Sequence, residues 1–198
     1  VPIADCWLQP EWVKRVIAVT HDFLEKNGLQ GYDEQTGTGD VRHITVREIG
    51  GRLYIAAVLC HAATDEDALR RVYLDAFGQD CRLYLNINPR KTNVIYGDAW
   101  KRLHGPDTPT TVDGLLADVH PASFFQVNDG VRPLLYQAVL DAVEADTVID
   151  AYAGAGLLTA KLAAKCRRAV GIELDPSAAA AARRTAELNK IGLDNREG

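Results

Sequence analysis

Apolar residues recur every three to four positions in five stretches of the chain, and this spacing predicts amphipathic helices. The predicted helices span 10–27, 65–77, 129–145, 157–166 and 176–190. Gly28 and Gly78 follow the first two, at the position where glycine favours the end of a helix. Asp175 followed by Pro176 is a typical start for the last helix, with aspartate as the N-cap.

Two of these helices carry a more specific prediction. Thr64 and Asp67 stand three residues apart and resemble a capping box at the start of helix 65–77. Helix 129–145 has an apolar stripe, which we expect to pack against a core. The residues of this stripe are Val131, Leu134, Leu135, Ala138, Val139 and Val143.

Alternating or continuous apolar runs predict strands at 41–49, 52–60, 82–87, 92–96, 112–119, 148–151 and 168–173. Gly50 and Gly51 separate the first two runs and predict a hairpin. The first half mixes strands and helices, whereas the second half alternates helix and strand, as at the opening of a doubly wound sheet. We therefore predict an α/β fold, with a mixed α+β domain at 1–110 and the first part of a Rossmann-like domain at 111–198. Because two strands cannot complete such a sheet, we expect a fragment of a longer protein.

The composition excludes several classes of protein. The 198 residues are 47% hydrophobic and 25% charged with a formal net charge of −5, which argues against a protein that coats nucleic acid. No apolar run reaches the roughly 18 residues of a membrane span, and the start of the chain lacks the layout of a signal peptide. The four cysteines have no C-x-x-C spacing, which favours a reducing compartment. We expect a cytoplasmic monomer that does not associate with membranes.

The segment from Asp150 to Gly156 is the strongest indication of a ligand. A strand, a glycine turn and a helix in succession form a nucleotide-shaped pocket at the carboxyl ends of parallel strands. Gly154 and Gly156 have no Cβ atom, so a ligand can approach the backbone closely, and Glu173 ends the next strand at a spacing suited to two ribose hydroxyls. Thr159 replaces the third glycine of the dinucleotide fingerprint, which favours S-adenosylmethionine, a cofactor without phosphate, over a dinucleotide. A tight turn without a ligand is a further alternative.

A local excess of basic residues between Arg82 and His104 indicates contact with RNA phosphates. Asp98 is the only acidic residue in this stretch, against Arg82, Arg90, Lys91, Lys101 and Arg102. Side chains that could bond sugars or base edges are Asn86, Asn88 and Asn93. The predicted RNA-binding residues are Arg42, His43, Arg90, Lys91 and Asn93. The alternative is an ordinary solvated strand face.

Several motifs occur in the order found in one family, the uracil-C5 RNA methyltransferases. They are Gly39-Asp-Val-Arg-His-Ile44, Asn86-Ile-Asn-Pro-Arg-Lys-Thr-Asn93, Val94-Ile-Tyr-Gly97, Ser123-Phe-Phe-Gln-Val-Asn128 and Asp150-Ala-Tyr-Ala-Gly-Ala-Gly156. The chain resembles this family over nearly its whole length, and it is most similar to members that act on 23S ribosomal RNA. The resemblance implies S-adenosylmethionine as the cofactor and 23S ribosomal RNA as the partner.

The resemblance also implies roles for individual residues. Gln126 corresponds to a glutamine that contacts S-adenosylmethionine, Tyr152 to an aromatic residue that packs on it, and Glu173 to the acid that binds its ribose hydroxyls. The predicted cofactor site is therefore Gln126, Asp150, Tyr152, Gly154, Gly156 and Glu173.

The cysteines receive separate predictions. Cys6 corresponds to one ligand of an iron-sulfur (4Fe-4S) cluster in longer members of the family, whose other three ligands lie in an upstream segment that this chain lacks. We therefore expect Cys6 to be a free thiol here. Cys60, Cys81 and Cys166 have apolar neighbours and are predicted to lie in the core.

The reaction of the family requires a cysteine thiolate that adds to C6 of uracil and a carboxylate that later removes the proton from C5. The resemblance puts both residues beyond position 198, so we expect no catalytic residue in this chain and no turnover by the chain alone. The implied function is S-adenosylmethionine-dependent methylation of uracil C5 in 23S ribosomal RNA. The alternatives are a transfer-RNA methyltransferase of the same family, a non-catalytic RNA-binding scaffold and a dinucleotide oxidoreductase.

Overall fold

The computed structural model of the chain describes residues 9–62, 65–106, 108–123, 126 and 128–192, together with the backbone of 194–197. The chain divides into two compact units. Unit 1 comprises the chain up to Arg47 together with Arg52–Pro106, and unit 2 comprises Glu48–Gly51 together with the chain after Pro106. Among the described residues, no helix combines the length and the apolar character needed to cross a membrane.

Unit 1 is built around a four-stranded sheet. Its elements are α1 (Trp12–Asn27), β1 (Val41–Ile49), β2 (Arg52–Leu59), α2 (Glu66–Phe77), β3 (Arg82–Ile87) and β4 (Ala99–His104), and the strand order is β1-β2-β3-β4. β2 and β3 run parallel with Ala57 opposite Leu85, whereas β3 and β4 run antiparallel with Asn86 opposite Trp100. The segment β2-α2-β3 is therefore a parallel β-α-β unit inside a mixed sheet.

The core of unit 1 forms where helix side chains meet alternate residues of the two central strands. Phe23 of α1 and Tyr73 of α2 belong to a buried cluster with residues of β2 and β3. The strand residues of this cluster are Val41 of β1 and, on the two central strands, Ile55, Ala57, Leu59, Leu83 and Leu85. The hydroxyl of Tyr73 lies 2.7 Å from that of Thr20, so the polar end of this buried ring is paired. Burial raises the pKa of Tyr73 to about 12.

The sequence signals for turns and caps in unit 1 are mostly confirmed. Gly50 and Gly51 have φ angles of 57° and 75°, both in the left-handed region, and they join β1 to β2 as the predicted two-residue hairpin turn. The capping prediction for α2 is wrong in its N-cap residue. The carboxylate of Asp65 accepts a hydrogen bond of 3.0 Å from the amide of Ala68, so Asp65 caps the helix, and Thr64 lies outside the described residues.

The strand predicted at 92–96 is not a strand, and the partner of β3 is instead β4. The cause is a buried side chain. Asn88 donates hydrogen bonds of 2.7 Å and 3.0 Å to the carbonyls of Val94 and Ile95, which occupies acceptors that a strand would offer to a neighbour. The apolar run alone could not reveal this competition.

Unit 2 contains a parallel sheet with strand order β7-β8-β9. Its elements are β5 (Thr110–Val112), β6 (Leu115–Ala117), α3 (Arg132–Ala142), β7 (Thr147–Asp150), α4 (Leu157–Lys165), β8 (Arg168–Glu173), α5 (Pro176–Leu188) and β9 (Asp194–Glu197). Asp175 caps α5 as predicted, because its carboxylate accepts a 2.7 Å bond from the amide of Ala178. The strand β9 was not predicted, since its sequence, Asp-Asn-Arg-Glu, has no apolar residue.

Two further predictions in unit 2 need correction. The single strand predicted at 112–119 is a short hairpin, β5-β6, that turns at Asp113 and Gly114 with φ angles of 48° and 84°. Asp-Gly is a strong hairpin signal that the sequence interpretation missed. The apolar stripe of α3 is not packed against a core within the described chain, because Leu134 and Leu135 are 69% and 47% exposed. The residue that α3 buries is Arg132, at 3% exposure.

Candidate functional site

The glycine turn joins the end of β7 to the start of α4. Gly154 and Gly156 have φ angles of 52° and 78°, which residues with a Cβ rarely adopt. The amide of Ala153 donates a 3.0 Å hydrogen bond to the carbonyl of Ile172 in β8, so the turn is fixed to the neighbouring strand. The turn thus lies at the carboxyl ends of two parallel strands, which is where α/β folds bind ligands.

Gly156 serves the packing of helices. A Cβ atom at this position would lie 2.8 Å from Cβ and 3.0 Å from Cα of Ala182, which is too close for a carbon–carbon contact. Gly156 therefore allows α5 to approach the start of α4. The sequence predicts Gly156 as a cofactor-binding residue. Its close approach to Ala182 is a separate, structural reason for a glycine at this position.

Two carboxylates flank the glycine turn. Glu173, at the end of β8, accepts a 2.8 Å hydrogen bond from the amide of Gly154 through Oε2 and a 2.9 Å bond from the amide of Asp175 through Oε1. Asp150, at the end of β7, accepts a 2.7 Å bond from the hydroxyl of Thr159. Both acids are therefore held in fixed orientations next to the turn.

A cavity of about 230 Å³ lies beside the turn. Four of the six predicted cofactor residues line it: Gln126, Asp150, Tyr152 and Gly154. Leu135 and Tyr136 of α3 form part of its wall, and burial raises the pKa of the Tyr136 hydroxyl. Tyr152 is 94% exposed, so its ring is available to a ligand surface. Because typical ligand pockets measure about 300–1,000 Å³, this cavity is suited to part of a nucleoside cofactor.

Arg132 bonds the backbone of Gln126, and no pattern in the sequence indicated this role. Its guanidinium donates bonds of 2.8 Å and 3.1 Å to the two carboxylate oxygens of Asp113 and a 3.0 Å bond to the backbone carbonyl of Gln126. Asp129 accepts a further hydrogen bond from the same guanidinium. The hydrogen bonds from Arg132 lower the pKa of Asp113. This buried, bidentate ion pair links the β5-β6 turn to a wall of the cavity.

A second cavity, of about 200 Å³, lies in unit 1 and is called the basic cleft below. Its lining residues are Tyr32, Glu34, Arg42, Lys91, Thr92 and Asn93. Three of the five predicted RNA-binding residues, Arg42, Lys91 and Asn93, are therefore brought together.

The Arg42 side chain builds the wall of this cleft. Its guanidinium donates to the carbonyls of Arg90 and Thr92, and it lies 4.5 Å from the ring centroid of Tyr32. The stacked geometry is that of a cation–π contact. Because these donors are directed at backbone carbonyls, Arg42 shapes the loop after β3. The exposed polar residues of the cleft are Glu34, Lys91, Thr92 and Asn93, of which Lys91 is the cation.

Other parts of the predicted basic patch have structural roles. Arg82 is 3% exposed and lies 4.9 Å from the ring centroid of Tyr54, so it is wrongly counted among the RNA-facing cations. Arg90 pairs with Asp98, and Lys101 pairs with Glu66. These ion pairs are solvent-exposed, and exposed ion pairs contribute little to stability.

The asparagines of this segment separate into two kinds. Asn86 is fully buried: its side chain accepts a 2.8 Å bond from the amide of Gly97 and donates to the carbonyls of Gly97 and Ala99. Asn88 is also fully buried and bonds the backbone of the same loop. The prediction that both could bond RNA is wrong, because their polar atoms are used inside unit 1. Asn93 is exposed.

His43 lies half-buried on β1. Burial lowers the pKa of its imidazole, and the positive charge of Arg42 lowers it further. The neutral form is favoured at neutral pH as a result, so His43 provides less attraction for a phosphate than the sequence suggested.

The three described cysteines differ in burial. Cys81 is buried, whereas Cys60 and Cys166 are half-buried, so the core prediction holds fully only for Cys81. Burial raises the pKa of the Cys60 and Cys81 thiols, which disfavours the reactive thiolate. The predicted iron-sulfur ligand Cys6 lies outside the described residues.

Sequence comparison finds similar proteins that are named as RNA methyltransferases. No protein-family profile matches the chain. A protein of Listeria monocytogenes named as an uncharacterized RNA methyltransferase is 36% identical over 203 residues, covering 96% of this chain and 44% of that protein. Proteins with the same description in Oceanobacillus iheyensis and Streptococcus mutans are each 32% identical, covering 97% and 96% of this chain and 43% and 44% of their own lengths. The chain thus spans less than half the length of these relatives.

One solved structure shares the fold of the chain. The crystal structure of Pyrococcus abyssi tRNA (uracil-54, C5)-methyltransferase in complex with S-adenosyl-L-homocysteine superposes with a TM-score of 0.84 at 23% identity. The superposition covers 100% of this chain and 48% of that one. The predicted fold class is confirmed: a mixed α/β chain with the Rossmann-like fold of S-adenosylmethionine-dependent methyltransferases. The sequence similarity to these proteins, which are named as RNA methyltransferases, extends over nearly the whole of this chain.

Proposed function

We propose that this chain forms part of an RNA methyltransferase, with S-adenosylmethionine bound beside the glycine turn of unit 2 and RNA bound at the basic cleft of unit 1. One observation carries the choice of cofactor. The amide of Gly154, which would face the pyrophosphate of a dinucleotide, donates a 2.8 Å hydrogen bond to the carboxylate of Glu173. A phosphate at this position would compete with that carboxylate and be repelled by its charge.

The residues beside the turn suit the proposed cofactor. Each oxygen of the Glu173 carboxylate accepts one backbone bond, and a carboxylate oxygen has capacity for a second, so Glu173 can also accept ribose hydroxyls. The exposed ring of Tyr152 offers an apolar surface for packing, and the Gln126 side chain, which also lines the cavity, offers a donor and an acceptor. When bound, S-adenosylmethionine supplies a methyl group on a positively charged sulfur, and the negative charges of Asp150 and Glu173 favour that cation.

Calorimetric titration with S-adenosylhomocysteine tests this assignment. We expect saturable binding by the chain, and no binding of NAD at concentrations that saturate the site with S-adenosylhomocysteine. Glu173→Gln should weaken the affinity by about tenfold or more, because it removes a charge and an acceptor from the ribose. Glu187→Gln is the matched control, since Glu187 is an exposed acid of unit 2 that pairs with Arg184 and does not line the cavity. Equal affinity in both variants would remove Glu173 from the site.

We further propose uracil C5 as the methylated atom and 23S ribosomal RNA as the substrate. The motifs that resemble the uracil-C5 family support the chemistry, as does the name of the Pyrococcus abyssi protein with the same fold. That protein acts on transfer RNA, which makes transfer RNA the second candidate. Binding of the chain to a uridine-bearing 23S fragment and to a transfer-RNA transcript discriminates the two. We expect tighter binding to the 23S fragment, and the opposite order would favour transfer RNA.

Uracil-C5 chemistry needs a thiolate within reach of the base. Of the three described cysteines, none lines the cavity beside the glycine turn, and burial raises the pKa of two of them. We therefore propose that these residues provide binding and that the chain alone does not turn over. Incubation with methyl-labelled S-adenosylmethionine and the same two RNAs should give no labelled RNA. Robust labelling would contradict the proposal, and steep salt-dependent RNA binding without any cofactor binding would favour a scaffold instead.

A further inference from the structure

Thr159 occupies the position at which the dinucleotide fingerprint has its third glycine, and its side chain has a defined partner. Thr159 is the third residue of α4 and is 0% exposed. Its hydroxyl lies 2.7 Å from Oδ2 of Asp150, the last residue of β7. Burying a hydroxyl without a hydrogen-bond partner costs free energy. The contact therefore provides the buried hydroxyl of Thr159 with an acceptor and the carboxylate of Asp150 with a donor.

The direction of this hydrogen bond follows from its chemistry. An ionised carboxylate can only accept, so the hydroxyl of Thr159 donates its single proton to Asp150. Threonine is branched at Cβ, which restricts rotation about χ1 in a helix. The donor is therefore stiff, and it holds one carboxylate oxygen in place. The other oxygen, Oδ1, has no hydrogen-bond partner among the described residues and remains available on a residue that lines the cavity.

We propose that Thr159 is a positioning residue that sets the Asp150 carboxylate for an adenosyl cofactor. This inference rests on the proposed function, because it takes the cavity beside the glycine turn as the cofactor site. It also explains why the site would bind S-adenosylmethionine in preference to a dinucleotide. Replacing the third glycine by a donor to Asp150 fixes a negative charge next to the turn, and together with Glu173 this charge disfavours phosphate-bearing ligands and suits a cationic one.

The test compares three substitutions of Thr159 by titration with S-adenosylhomocysteine. Thr159→Val keeps the shape and removes the hydroxyl, and it should weaken binding about tenfold, as expected for loss of a hydrogen bond to a charged group. Thr159→Ser keeps the hydroxyl and should bind within about twofold of the unchanged chain. Thr159→Ala is a second variant without the hydroxyl, for use if the valine variant does not fold. Thermal unfolding without ligand separates loss of binding from loss of folding.

A double-mutant cycle with Asp150→Asn shows whether Thr159 acts through Asp150. We expect Thr159→Val to weaken binding about tenfold in the unchanged chain and by less than about twofold in the Asp150→Asn background. Equal losses in both backgrounds would overturn the inference, and so would a serine variant as weak as the valine variant. If the unchanged chain binds no S-adenosylhomocysteine, the proposed function fails and the inference fails with it. If it binds and Thr159→Val binds equally well, only the inference fails.

Discussion

Unit 1 contains the parallel segment β2-α2-β3, and unit 2 contains two parallel β-α-β segments that share β8. The segments β2-α2-β3 and β7-α4-β8 differ in what they present at the carboxyl ends of their strands. In unit 1, β2 and β3 end next to buried asparagines, with Lys91 and Asn93 exposed in the loop that follows. In unit 2, β7 ends at Asp150 and β8 ends at Glu173, with a glycine turn between them. The same supersecondary element thus offers positive charge in one unit and negative charge in the other.

The fold and the residues at the carboxyl edge of each sheet have different roles. A parallel β-α-β segment supplies a crevice at the carboxyl ends of its strands. The residues at that edge determine which ligand charge the crevice accepts. In unit 1, the amide groups of Asn86 and Asn88 bind the backbone of one long loop and leave the cations outside. In unit 2, the Glu173 carboxylate accepts a hydrogen bond from the turn, and Asp150 lines the cavity.

Removal of the buried Asn86 side chain, which bonds the loop backbone, should cause the largest loss of stability. Asn86→Ala leaves the amide of Gly97 and two carbonyls without their buried partner, so we expect a loss of about 3–4 kcal/mol in the free energy of unfolding. Asn93→Ala, an exposed residue of the same loop segment, is the control and should change it by less than about 0.5 kcal/mol. Denaturant titration measures both. Similar losses for the two variants would show that Asn86 does not support the loop.

The glycine turn of unit 2 should be nearly as sensitive. Gly156→Ala puts a Cβ atom 2.8 Å from that of Ala182 at a φ of 78°, so strain and overlap should together cost about 3 kcal/mol. Gly51→Ala is a matched control, with a φ of 75° and no atom within 4 Å of the added Cβ. It should lose only about 1 kcal/mol, from backbone strain alone. Denaturant unfolding of the two variants measures the difference, and equal losses would mean that the contact between α4 and α5 is not tight.

The ion pair behind the cavity should make stability depend on pH. Hydrogen bonds from Arg132 lower the pKa of Asp113, so its stabilisation is present at neutral pH and is lost as the pH falls below about 4. Asp113→Asn should therefore cost about 2 kcal/mol at pH 7 and progressively less towards pH 3. Denaturant unfolding at a series of pH values provides the measurement. A difference between the two proteins that stayed constant from pH 7 to pH 3 would contradict this account.

The smallest effect is expected at the edge of the basic cleft. Lys91→Ala should weaken binding of a single-stranded, uridine-bearing RNA about threefold and reduce the slope of log affinity against log salt by about 1, as for one phosphate contact. Lys26→Ala, at the end of α1 and outside the cleft, should change neither value. Filter binding over a salt series compares the variants. An unchanged slope for Lys91→Ala would remove the cleft from the proposed RNA surface.

Local signals in the sequence predicted local structure well. The diglycine hairpin turn and the start of α5 at Asp175 and Pro176 were foreseen because each depends on neighbouring residues alone. The glycine turn of unit 2 was also foreseen, and four of its six predicted residues line one cavity. Asp150, Tyr152 and Gly154 are near neighbours in the sequence, so their spacing is enough to bring them together, whereas Gln126 precedes α3 and reaches the cavity through the tertiary fold.

The remaining features depend on contacts between distant parts of the chain. The position of β4 follows from the bonds of Asn88 to the loop, and apolar periodicity does not record a buried amide. The salt bridge between Arg132 and Asp113 joins residues 19 positions apart, and nothing nearby distinguishes this arginine from an exposed one. The polar strand β9 is defined by its parallel pairing with β8 and has no apolar pattern of its own.

The guanidinium of Arg42 spans the loop after β3, where it bonds two carbonyls and lies over the ring of Tyr32. This side chain keeps the loop in one conformation before any ligand arrives. A nucleic-acid strand that docks beside it would immobilise little additional protein, so the entropic penalty of association should be small on the protein side. Under the proposed function, most of the ordering on complex formation would therefore occur in the RNA.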